Sequence, residues 1–98
     1  MNELDRRILA GRIKDLRLAY EETQEHFAIR LKMRLAMLQN YEIALRRPDY
    51  DDTQKFFLAA AALRRHDLTE YFRERMKGLA EWSESVRHYR DREREERS

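Results

Sequence analysis

Residues 23–47, TQEHFAIRLKMRLAMLQNYEIALRR, decide the fold of this chain. Their apolar groups recur at helical spacing in two short runs, interrupted near Lys32 and Met33. Thr23 stands where a hydroxyl accepts an orphan backbone N–H at a helix start. The spacing predicts a helix from about Gln24 to Leu31 that buries Phe27, Ala28 and Leu31. A turn at Lys32 and Met33 then leads into a helix from about Arg34 to Ile43, which buries Leu38 and Tyr41. Counted from Gln24 as position one, Phe27, Ala28, Leu31, Met33, Leu38 and Tyr41 fall at positions four, five, eight, ten, fifteen and eighteen. Those positions lock the second helix of such a unit across the first. Position five must be small because the backbones approach closely there, and Ala28 is small.

The flanking sequence is helical as well. Upstream, Leu4, Ile8, Leu9, Ile13, Leu16 and Tyr20 follow one helical face over residues 3–20. Downstream, Pro48 disfavours helix at Arg47. Asp51 or Asp52 is the expected cap of a fourth helix over about 52–65, with Phe56, Phe57, Ala60 and Leu63 facing inward. Asp67 is the expected cap of a fifth element holding Leu68, Tyr71 and Phe72. With one proline and two glycines in 98 residues, the chain has little material for hairpins. The expectation is an all-α chain of one domain with an added arm.

Charge is informative by its distribution. The net charge is only +2. Residues 30–47 nevertheless carry Arg30, Lys32, Arg34, Arg46 and Arg47 against the single carboxylate of Glu42. Asp49, Asp51 and Asp52 follow at once, and residues 67–98 are nearly balanced, with eight basic and nine acidic groups. The cationic excess therefore sits on the two-helix unit, where a phosphate backbone needs it.

The sequence resembles the Cro/repressor-like helix-turn-helix family of bacteria and their phages, the xenobiotic-response-element type. The resemblance covers about residues 8–68 and rests on RIKDLR at 12–17, TQEHFA at 23–28, Tyr41-Glu42, Arg46-Arg47-Pro48 and FFLAAAAL at 56–63. It implies a five-helix lambda-repressor-like helix-turn-helix domain whose third helix lies in the major groove. It also implies an ion pair between Arg17 and Glu42 that fixes the third helix against the first. Arg34, Leu35, Ala36, Gln39 and Asn40 become the base-reading positions. Asn40 and Gln39 suit the N6 and N7 edge of adenine, and Leu35 and Ala36 suit a thymine methyl. Gln24, Lys32, Arg46 and Arg47 become phosphate contacts. The sequence departs from the family at Glu21, Lys32 and Ala44, where glycine is common, and at Glu22, where an apolar residue is usual.

Beyond Phe72 an apolar stripe continues through Met76, Leu79, Trp82, Val86 and Tyr89 in steps of three and four. A long C-terminal helix with this stripe as a dimer interface is expected. The division is then a DNA-binding domain over 1–68, a dimerisation helix over 69–90 and a charged tail over 91–98. A homodimer would set two recognition helices about one DNA turn, ~34 Å, apart.

Other chemistry is thin. His26, His66 and His88 lack metal-ligand spacing, and there is no glycine-rich phosphate loop or nucleophile motif. No enzyme activity, metal or cofactor is expected. The absence of cysteine fits a reducing, cytoplasmic setting. No apolar run approaches the roughly 20 residues of a membrane span, and MNELDRR is too charged to open a secretory signal. The reading is a dimeric regulator of transcription that binds double-stranded DNA. The alternative is an interaction module of the same fold, such as an antitoxin or a phage or plasmid adaptor, with a protein partner.

Overall fold

A computed structural model describes residues 2–79 and is all-helical over that range. Five helices follow in order: α1 Glu3–Ala19, α2 Gln24–Arg30, α3 Leu35–Glu42, α4 Tyr50–Ala62 and α5 His66–Lys77. Three starts are capped by side chains. Asn2 accepts from the Asp5 N–H at 2.8 Å, Thr23 from His26 at 3.2 Å and Asp49 from Asp52 at 2.8 Å. The cap of α4 is thus Asp49, not Asp51 or Asp52, and the helix begins two residues earlier than its sequence pattern suggests. Asp67 likewise lies inside the first turn of α5, where Arg65 donates to both of its carboxylate oxygens at 3.1 Å.

The core is built from one face of each helix. Ile13 and Leu16 of α1, Phe27 of α2, Leu38 of α3, Phe56 of α4, and Leu68 and Phe72 of α5 are fully buried. Phe56 sits at the centre, with its ring 6.1 Å from Tyr41 and 5.6 Å from Phe72. At the closed end of the domain the Tyr20 hydroxyl donates to the Ala59 carbonyl at 2.7 Å, tying the end of α1 to α4. Leu4 and Ile8, expected on the inner face of α1, are instead exposed. They lie ahead of Leu9, the first apolar residue of α1 that the other helices cover.

Four of the turns share one device. Glu21, Lys32, Ala44 and Arg64 follow α1 to α4 and take left-handed φ values of 57°, 53°, 62° and 56°. A left-handed residue closes a helix by turning the next amides back onto its last carbonyls. The Met33 amide, for example, reaches the Ala28 carbonyl at 2.9 Å. None of the four is glycine, and neither glycine of the chain has a positive φ.

The C-terminal boundary moves. Phe72 and Met76, expected in a dimerisation helix beginning at residue 69, are buried in this domain's own core on α5. Residues 66–77 form one helix across the expected boundary, and it closes at Gly78. The domain therefore extends through α5. Of the expected dimer stripe, Leu79 is half-buried, while Trp82, Val86 and Tyr89 lie outside the described residues, as does the 91–98 tail.

Candidate nucleic-acid interface

α3 is short, so its orientation depends on what holds its two ends. The C-terminal end is held by Glu42. The Arg17 Nε donates to its two oxygens at 3.2 and 3.0 Å, and Arg17 Nη2 reaches Oε1 at 3.0 Å. The Glu42 side chain is 3% exposed. Arg17 Nη1 also donates to the Glu22 carbonyl at 3.0 Å, so one guanidinium joins α1, the α1–α2 turn and α3.

The Tyr41 hydroxyl forms a second tie, donating to Asp52 at 2.5 Å. Burial, reinforced by the Asp52 carboxylate, pushes the Tyr41 phenol well above the usual tyrosine range. The acidic stretch after Pro48 is largely consumed by the fold: Asp49 caps α4 and Asp52 holds Tyr41. Only Asp51 stands wholly outward on the surface with no such duty.

These ties leave one side of α3 facing solvent. Ala36, Gln39 and Ile43 are exposed and Asn40 is half-buried, a face at helical spacing of three and four. Leu35 lies at the edge of this side. It is half-buried and packed against the core, as is Met37, so only part of its side chain faces outward. Arg34 is exposed at the start of α3, as the cap residue in extended conformation, with no side-chain cap bond. The Asn40 carbonyl accepts from the amides of Leu45 and Arg46 at 2.9 and 3.2 Å, which turns the chain sharply after α3. Arg46 and Arg47 emerge exposed from that turn, and the buried Pro48 anchors them from behind. Arg46 also touches the Met37 sulfur at 3.6 Å.

At the other end, Lys32 is exposed in the α2–α3 turn. A cation that the sequence did not single out joins it. Lys55 of α4 donates to the Lys32 carbonyl at 3.2 Å and lies 3.6 Å from Asp52. The signal was absent because Lys55 looks like any polar residue on an amphipathic helix, and only the packing of α4 brings it to this turn. Gln24 is half-buried as the first residue of α2. The surface thus joins Lys32, Arg34 and Lys55 at one end of α3 to Arg46 and Arg47 at the other.

A second cluster braces α2. Arg30 pairs with Glu22 and its guanidinium lies 4.3 Å from the Tyr20 ring centroid. Hydrogen bonding from Arg30 holds the Glu22 carboxyl below the usual carboxylate range. The acidic departure at Glu22 is thereby explained: an ion pair occupies the place of an apolar contact.

Among the described residues no group of histidine, aspartate or glutamate is arranged to hold a metal ion, and no helix is long and apolar enough to cross a membrane. Comparison with family models, with curated proteins and with solved structures finds no match for this chain.

Proposed function

We propose that this chain is a helix-turn-helix protein of the Cro/repressor-like type that binds double-stranded DNA and regulates transcription, with α3 entering the major groove. The observation that carries the reading is the outward side of α3. Gln39 and Asn40 offer donors and acceptors beside the small Ala36, and cations stand at both ends of the helix. A helix with polar readers on its exposed side and basic groups at its margins fits the division between base contacts that specify and phosphate contacts that position. The Arg17–Glu42 pair supports it further, because a reading helix must be held rigidly from behind.

Two-fold pairing suits a palindromic site, but Phe72 and Met76 are occupied in the core, so pairing has to use other surface. The test is selection of bound DNA from a random pool, followed by anisotropy titrations at several salt concentrations. Enrichment of one motif, with affinity falling steeply as salt rises, supports the reading. No enrichment and a flat salt response overturn it.

One observation favours a second reading, a protein-interaction module of the same fold. Ile29, Ile43 and Leu45 are exposed around the same two helices, and apolar groups there suit a protein surface. Recovery of one stoichiometric protein partner with no DNA selects this alternative.

A further inference from the structure

α1 carries apolar surface that the core does not use. Leu4 is 66% and Ile8 42% exposed, one turn apart at the N-terminal end of the helix. α5 touches this half of α1 at isolated points. The Arg12 guanidinium lies 5.8 Å from the Tyr71 ring centroid. Asp5 is also close enough to act on the Tyr71 phenol, and Leu9 and Leu79 line one cleft with Pro48 and Thr53. Leu79, the last described residue, therefore lies beside Leu9, the neighbour of Ile8 in sequence.

Leu68, Phe72 and Met76 form the buried side of α5, and the half-buried Leu79 follows its cap at Gly78. The next large apolar residues of the sequence are Trp82 and Val86. We infer that the segment after Leu79 docks on its own domain, with Trp82 and Val86 covering Ile8 and Leu4 of α1. Two residues separate Leu79 from Trp82, so Trp82 stays within about 10 Å of Leu79. Such a short tether sets an effective concentration near the millimolar range, above that of a free second copy.

Charge points the same way. Arg7 and Arg12 flank the Leu4–Ile8 edge, while Glu81 and Glu84 flank Trp82. Carboxylates of the chain's own segment add to the pairs these arginines already make, Arg7 with Glu3 at 2.8 Å and Arg12 with Asp15 at 3.8 Å.

Trp82 is the one tryptophan of the chain, so its fluorescence reports this contact directly. The full chain is measured over a dilution series, with iodide quenching and sedimentation alongside. Docking gives a blue-shifted, quencher-protected emission that does not change with protein concentration. The Leu4→Glu, Ile8→Glu double variant should shift emission to the red and raise quenching, while circular dichroism stays helical. Leu18→Glu, at the exposed far end of α1, should leave emission unchanged. Emission typical of water at every concentration overturns the inference. So does protection that appears only as a dimer forms, or protection that survives the double variant.

Discussion

Arg17 of α1 and Glu42 of α3, twenty-five residues apart, meet through three contacts of 3.0 to 3.2 Å in a largely enclosed site. Removing one partner leaves the other charge enclosed and uncompensated, which typically costs about 3–5 kcal/mol. Glu42→Ala should therefore lower stability by about 3 kcal/mol in urea unfolding, a large share of the margin of a small domain. Replacing both, Arg17→Met with Glu42→Leu, should recover much of that loss, because desolvation of two charges is no longer required. The Glu22 carbonyl then loses its Arg17 donor, so recovery should be incomplete. A double variant as unstable as Glu42→Ala alone would show that the contacts to the backbone, not the ion pair, hold α3.

The Tyr41–Asp52 bond makes a prediction in alkali. Burial and the Asp52 carboxylate both raise the Tyr41 pKa in the folded state, so the folded chain holds this proton more tightly than the unfolded one. Stability from this group is fully present below the unfolded value of 10.0 and is lost as pH rises beyond it. Tyr41→Phe should cost about 1.5–3 kcal/mol near neutral pH, as expected for a bond to a charged acceptor. It should also flatten the loss of stability above about pH 10. Tyr20 and Tyr71, whose pKa values burial also raises, keep part of that slope. An unchanged alkaline profile in the variant would place the titration on those two residues instead.

Glycine is used in the wrong places for stability. Ala44 holds φ at 62° after α3, which costs an L-residue roughly 1–2 kcal/mol, partly offset because glycine loses more freedom on folding. Ala44→Gly should gain about 0.5–1 kcal/mol. Gly11 lies inside α1, and a Cβ added there meets nothing within 4 Å. Gly11→Ala should gain about 1 kcal/mol from helix propensity. In a domain of this size each kcal/mol raises Tm by roughly 4–8 °C, which differential scanning calorimetry resolves. A loss in Gly11→Ala would point to a role for that open surface on α1.

How much of this was legible in the sequence follows from what each feature depends on. Periodicity alone located the helices, since Phe27, Leu38, Phe56 and Phe72 repeat with the helical turn whatever their neighbours do. The approach of Arg17 to Glu42 followed from the family resemblance, and the two residues do meet. The misread positions depend on neighbours the pattern does not name. Leu4 and Ile8 fit the α1 stripe, yet no other helix reaches far enough to cover them among the described residues. Leu35 sits at the helix start, where a small rotation decides between core and groove, and it is divided between the two, half-buried against the core. Phe72 and Met76 looked like a free stripe because nothing in a linear pattern says that α4 lies against them. Lys55 and Asp52 acquire their places only through the packing of α4 beside the α2–α3 turn.

The proposed DNA surface separates into residues that position and residues that specify, and the two should fail differently. Arg46→Ala and Arg47→Ala each remove one exposed cation beside α3. Each should weaken binding by a similar factor on every sequence and reduce the slope of log affinity against log salt by about 1. Lys55→Ala should do the same, despite lying on α4, because it stands at the Lys32 turn. Gln39→Ala and Asn40→Ala should leave that slope intact and relax preference at one base pair, since a bidentate contact is worth about 1–3 kcal/mol of discrimination. Leu35→Ala should act mainly on stability, because the side chain packs against the core. Ala36→Glu sets a carboxylate in the middle of the exposed side and should abolish binding at low salt while leaving the fold intact. If Ala36→Glu binds DNA as well as the parent chain, α3 does not enter the groove.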